Sequence, residues 1–177
     1  MTETKPLSRS EREAKIKDKA GLVISIFALF LAFNTYIANG LSGLILTNTI
    51  KANDTWSFYQ AKSIKQSVNE LAAEEATARG DEISAKKFRE TVARYESEPS
   101  TGEGKKELMA KATTLEAERD LAKRKSPWIS LAGSSMQMAI VLVSAAIVAV
   151  SSLMFWASFG VMAVGLVLLT QGLWLWF

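Results

Sequence analysis

The sequence predicts an all-α integral membrane protein with three transmembrane helices and a long charged helical hairpin or coiled-coil segment between the first and second. Two observations carry this. Every charged residue of the 177 falls in 1–19 or 51–125, leaving charge-free stretches of 31 and 52 residues at 20–50 and 126–177. About 20 apolar residues suffice to cross a bilayer, and an ordinary soluble domain does not run so long without a charge. The second observation is the make-up of the 75 residues 51–125: Leu, Ile, Val and Phe supply only 10, whereas Ala, Glu, Lys, Leu and Arg supply 42. That is too little bulk for a globular core and is the composition of long helices.

Composition also excludes functions. With no His and no Cys, the chain has no Ser-His-Asp or Cys-His nucleophile, no zinc site with nitrogen or sulfur ligands, no haem with a His or Cys axial ligand and no disulfide framework. The residues name no catalytic group, metal site or cofactor, and the reading is of a non-enzymatic protein. The net charge of +3 does not point to nucleic acid, because 51–125 holds 15 basic against 14 acidic residues and 1–19 holds 6 against 4. Neither is a field of one sign.

Residues 1–19 form a polar tail ending in Lys15, Lys17 and Lys19. Residues 20–38 read as the first span, since 19 residues at 1.5 Å each reach roughly 28 Å, about one hydrocarbon thickness. A cleaved signal peptide is the competing reading, but Tyr36-Ile37-Ala38 puts bulk where a small residue is wanted. Asn39-Gly40-Leu41-Ser42-Gly43 holds helix-bending residues. Residues 39–50 are therefore read as an exit from the membrane along its surface, with a re-entrant loop as the alternative.

Within 51–125 the apolar residues recur at helical spacing. Phe58, Ala61, Ile64, Val68 and Leu71 step by 3, 3, 4, 3; Ala85, Phe88, Val92 and Tyr95 by 3, 4, 3; and Leu108, Ala112 and Leu115 by 4, 3. Each set is one narrow stripe. Acid-first pairs four apart, such as Glu75/Arg79 and Glu82/Lys86, add support to isolated helices. Gly80-Asp81 reads as a C-cap glycine followed by a new N-cap, and Ser97 to Gly104 as a loop. Helices are expected near 52–79, 81–96 and 105–125, packed as a hairpin or on copies of themselves, because a lone helix with so thin an apolar face is marginal in water.

Ser126-Pro127-Trp128 predicts a helix restart, with Ser as N-cap and Pro at the first position. Residues 128–150 and 153–177 are the second and third spans, separated by Ser151-Ser152. Trp128 would share one interface with Trp174, Trp176 and Phe177, while Phe155 and Trp156 would occupy the other.

The most distinctive string is Trp56-Ser57-Phe58-Tyr59-Gln60-Ala61-Lys62-Ser63-Ile64-Lys65. Trp56, Phe58 and Tyr59 read as an aromatic belt at headgroup depth, with Lys62 and Lys65 reaching for phosphates; the alternative is that Trp56, Phe58, Tyr59, Gln60 and Lys62 form a surface that recognises a lipid or partner. At this string the chain resembles an uncharacterised family of bacterial membrane proteins, domain-of-unknown-function family 4337. The order of one span, a helical middle and a C-terminal pair of spans is similar to that family too. The resemblance implies the topology and supplies no catalytic residue.

In the last two spans Ser130, Ser134, Ser135, Gln137, Ser144 and Gln171 are polar, and Gly133, Gly160 and Gly165 are small. These read as helix packing rather than a solute path, with Gln137 and Gln171 as candidates for interhelical hydrogen bonds, since an ion path usually needs a charged group. Carboxylates such as Glu70, Glu74 and Glu75 fit solvated helix faces better than a cation site. The 6 basic residues of the tail place the N-terminus in the cytoplasm and the helical region in the periplasm, against 8 basic residues near the membrane ends of that region. The expected protein lies in the cell inner membrane, partnered by the bilayer and by copies of itself or a larger membrane complex. An oligomeric channel or transport component lined by Ser and Gln is the alternative.

Overall fold

The computed structural model describes residues 9–176, without the side chains of 9, 11–13, 15, 16 and 18. Of the polar tail expected over 1–19, residues 1–8 lie outside what is described, as does Phe177, and residues 9–19 are the start of a helix rather than a separate tail. Four helices follow in order: α1 Arg9–Ala78, α2 Glu82–Glu96, α3 Lys105–Ala149 and α4 Ser152–Trp174. No strand occurs among the described residues. Three of the helices are long and apolar enough to cross a membrane: α1, α3 and α4.

Two compact units share these helices, one built from Met1–Gly43 with Ala122–Phe177, the other from Leu44–Leu121. In the first, Phe27, Ile129, Met136, Val143, Phe155, Met162 and Leu169 form the core with buried alanines between them. Beyond Pro127, α3 buries Ile129, Ala132, Met136, Ala139, Val143 and Ala146, a row stepping by 3, 4, 3, 4, 3. Phe155, Ser158, Met162, Gly165, Leu169 and Gly172 of α4 repeat those steps. A period of 3.5 keeps two faces together along their length and imposes a left-handed winding.

Two expected breaks are absent. α1 passes through Asn39–Gly43 without interruption, and Leu41–Ile50 stays helical. Each glycine costs only about 1 kcal/mol relative to alanine, and the helix is held on both sides, by Ala38 and Leu41 against the first core and by buried Asn48 and Ala52 in the second unit. α3 likewise carries Pro127 in its interior rather than restarting there with Ser126 as cap. The ring removes one N–H donor, at a cost of about 3 kcal/mol, but Ala122 before it and Ile129 and Ala132 after it are buried. Packing on both sides overrides the local preference.

The turns follow the sequence closely. Gly80, at φ +77°, ends α1: its N–H donates to Thr77 O (3.0 Å) and the Asp81 N–H to Ala76 O (2.9 Å), the paired bonds of a Schellman cap. Asp81 then caps α2, its Oδ1 accepting from Ser84 N at 3.0 Å. The same motif ends α3, with Val150 N donating to Ile147 O (3.4 Å) and Ser151 N to Ala146 O (3.1 Å). Here a β-branched residue occupies the left-handed position, at φ +51°, where the Cβ crowds the backbone. Val150→Gly is accordingly expected to raise stability by about 1 kcal/mol, read as a higher thermal midpoint in detergent. A midpoint unchanged or lower would mean that the valine side chain contributes more than its backbone strain removes.

The second unit is a helical hairpin. α1 runs out, and α2 and the start of α3 return along it: Arg89 Nη2 donates to Thr77 Oγ1 (2.8 Å), Gln66 Nε2 to Glu96 (3.4 Å) and Asn48 Nδ2 to Glu118 (2.9 Å), so residue numbers fall on one arm as they rise on the other. Of the expected stripes, Ala85 to Tyr95 and Leu108 to Leu115 turn inward. The stripe of α1 does not. Phe58, Ile64, Val68 and Leu71 remain 65%, 66%, 58% and 67% exposed. The seam of α1 is instead Ala52, Thr55, Tyr59, Lys62, Gln66, Asn69, Ala73 and Ala76, stepping by 3, 4, 3, 4, 3, 4, 3 and all buried or half-buried.

Candidate functional site

The side chains of the distinctive string divide at the hairpin seam. Trp56 and Tyr59 lie half-buried, with ring centroids 5.4 Å apart and the planes near perpendicular. Trp56 Nε1 donates to Glu116 on α3 at 3.1 Å, so the indole satisfies its polar edge inside the hairpin. Lys105 Nζ stands 5.5 Å from the Tyr59 ring centroid and 3.4 Å from Glu96. Lys62 is paired with Glu103 at 3.5 Å, its side chain 16% exposed, and sits 5.3 Å from the Tyr95 ring centroid. Trp56, Tyr59 and Lys62 thus hold α1 to α2 and α3, while Phe58 and Gln60 face outward.

Beside this seam is a cavity of about 510 Å³, lined in part by Lys51, Asp54, Phe58, Lys62, Glu103 and Lys111. Its lining holds three lysines and two carboxylates, one of each joined as Lys62 and Glu103. Its hydroxyls bond to backbone: Thr55 Oγ1 donates to Lys51 O at 2.7 Å and Thr101 Oγ1 to Glu98 O at 3.5 Å. Neither is oriented by a base, as a nucleophile requires. Among the described residues no group of three or more His, Cys, Asp or Glu is gathered as a metal site.

The loop between α2 and α3 is closed by one carboxylate. Glu107 Oε1 accepts from Ser97 Oγ at 2.7 Å and Oε2 from Glu98 N at 3.1 Å. These bonds, led by that from Ser97, hold the Glu107 carboxyl below its ordinary value of 4.5. A depressed carboxyl stabilises the fold above its unfolded value and ceases to do so as pH falls through its folded one. The loop is therefore expected to loosen below about pH 4.5, seen as faster proteolysis between Ser97 and Gly104 in acid. Glu107→Gln should remove that acid-dependent step; an identical pH profile would reject the assignment.

In the first unit, Ile129 packs against Gly172, leaving no room there for a Cβ, which sets Trp128 at the same end of the helix pair as Trp174 and Trp176. Trp128 is half-buried, and the Trp174 and Trp176 rings are 6.2 Å apart. Towards the other end, Phe155, Trp156 and Phe159 cluster at 5.5 to 6.0 Å, and Phe27 of α1 meets Phe159 at 5.4 Å. Gln171 is buried and its Oε1 accepts from Trp176 N at 3.0 Å, so it caps the end of its own helix. Gln137 does not face a neighbouring helix: it lies on the exposed side of α3, because Met136 before it and Ala139 two positions after it take the core. Gly133 and Gly165 sit at interfaces as expected, whereas Gly160 meets nothing within 4 Å.

One polar contact escapes a reading of the sequence. Asn34, 3% exposed, donates from Nδ2 to Ile129 O at 3.2 Å, and a Cβ on Gly133 would come within 2.7 Å of that nitrogen. Its Oδ1 is buried without a partner among the described residues. The available signal is the lone amide within the apolar run Gly21–Ala38.

A family model described as a domain of unknown function, DUF4337, matches residues 16–175. The chain belongs to that family. The DUF4337 match takes in the hairpin and both apolar helices that follow it. No curated protein and no solved structure matches the chain.

Proposed function

We propose that this DUF4337 protein is a non-enzymatic membrane protein whose extramembrane hairpin is an interaction element, serving self-association or attachment to a larger membrane complex. The bilayer is its first partner, and the inner membrane with a cytoplasmic N-terminus and periplasmic hairpin is the arrangement favoured by the basic tail. The observation that carries the reading is the exposed row Phe58, Ile64, Val68 and Leu71 along one face of α1 in the hairpin. Apolar area left in water costs roughly 25 cal/mol per Å², and a contiguous row of it marks a contact surface. Mild-detergent extraction at native expression, followed by native mass spectrometry, tests this: a defined oligomer or a stoichiometric complex is expected, and a bare monomer would sink it.

A second reading is an oligomeric channel or transport component. It is favoured by Ser130, Ser134, Gln137 and Ser144, all on the exposed side of α3 and stepping by 4, 3, 7. Ser134 and Ser144 satisfy themselves on Ser130 O (3.1 Å) and Ile140 O (3.0 Å). A Gln amide facing hydrocarbon calls for a partner helix or water. Liposomes reconstituted with the protein and showing no conductance or solute flux would remove this reading.

A further inference from the structure

We infer that the partner of the exposed α1 stripe is a second copy of this chain, paired parallel and in register; this deepens the self-association reading above and rests on it. Written in sevens, Ala61 and Val68 fall at position a, and Ile64 and Leu71 at d, the spacing of a two-stranded seam. The residues that α1 gives to its own hairpin, Tyr59, Lys62, Gln66, Asn69 and Ala73, fall at f and b, on the opposite side of the helix. Closing the hairpin therefore leaves the a and d face clear.

Three features favour a copy over a foreign protein. Copies inserted in one bilayer share one orientation, so their α1 helices meet parallel, and in register each a or d residue meets its own counterpart, as an isologous contact requires. The flanks raise no charge conflict. Gln60 and Ser67 at g would face Lys65 and Ala72 at e of the second copy. Like charges would first meet at Asp54 and Glu75, which bound the seam at its two ends. Finally, Val68 at a and Leu71 at d are the choices that favour two strands. With Phe58 at e on the flank of the seam, the exposed parts of Phe58, Ile64, Val68 and Leu71 offer at most on the order of 500 Å² per copy, so pairing hides up to about 1,000 Å², the threshold of a specific interface. Confinement to one membrane raises the effective concentration and makes so short a seam sufficient.

The absence of cysteine makes the test direct. Single cysteines placed in turn from 60 to 73 of the full-length protein, oxidised mildly in native membranes, should give same-residue disulfide dimers several-fold more abundant at 61, 64, 68 and 71 than at 62, 66, 69 and 73. An antiparallel pairing would not link both Ile64→Cys and Leu71→Cys to themselves. Flat yields, or a maximum on another face, would overturn the inference. An oligomer by native mass spectrometry without this pattern removes only the assigned face, whereas a monomer removes the self-association reading as well. Ile64→Glu with Leu71→Glu should convert the dimer to monomer with helix content by circular dichroism unchanged; a persistent dimer would count against the face.

Discussion

Gly172→Val is expected to destabilise the packing of α4 on α3 by about 3 kcal/mol, seen as a lower thermal midpoint of the detergent-solubilised protein. The buried face of α4 meets that of α3 at a shared repeat, and Gly172 lies opposite Ile129. A Cβ at 172 would come within 2.9 Å of Ile129 Cγ1 and 3.2 Å of its backbone N. Ile129 is 1% exposed, so its side chain has no free space to turn into, and its backbone belongs to a helix packed along its length. Interiors this close-packed answer added volume by shifting backbone, and valine adds two further carbons. Relief by sliding is blocked, because Gly165, one heptad earlier, is already close: its Cβ would stand 3.1 Å from Met136 Cγ and 3.2 Å from Ala132 O. The control is Gly160→Ala, where nothing lies within 4 Å, so helix propensity acts alone and adds up to about 1 kcal/mol. Equal midpoints for the two variants would mean that α4 does not seat on Ile129.

The all-α class is readable because charge is segregated so completely: two charge-free runs and one mixed-charge block each state their environment. Gly80-Asp81 and the loop from Ser97 to Gly104 are readable because each acts locally, through one glycine at positive φ or one cap within three residues. Gly40, Gly43 and Pro127 mislead for the converse reason. They are local signals, and contacts made by residues on either side outweigh a penalty of about 1 to 3 kcal/mol apiece.

The α1 stripe shows a different limit. Phe58, Ile64, Val68 and Leu71 mark an apolar face, but periodicity does not say whether that face turns to the same chain. The seam that does turn inward contains Lys62, expected from sequence to reach for lipid phosphates, and Gln66; Glu103 and Tyr95 are brought beside the first and Glu96 beside the second. Those partners lie 30 or more residues away in sequence, and a single sequence does not state such pairings. The same holds for Trp56: an indole near the end of an apolar run suggests a membrane interface, and only the position of Glu116 gives it an intrachain partner.

Gly104→Ala is expected to cost the hairpin about 3 kcal/mol and to open the loop before α3. Gly104 is buried, and a Cβ there would stand 2.7 Å from Ser97 Cα and overlap both the Glu98 nitrogen and the Glu107 carboxylate. Backbone atoms do not rotate away, so the chain at Ser97 and Glu98 must move, and both residues donate to Glu107. A single methyl therefore breaks the closure of the loop and loosens the start of α3, including the Lys105 pair with Glu96 and its place over the Tyr59 ring. Gly102, two residues earlier, provides the contrast: it sits at φ +71° with nothing within 4 Å, so alanine there strains only the backbone, by about 1 to 2 kcal/mol. Thermal unfolding followed by circular dichroism, with limited proteolysis across 97–104, separates the two. The Gly104→Ala and Glu107→Ala effects should be less than additive, because both remove the same closure. Full additivity would show that Gly104 acts through something other than the space beneath Glu107.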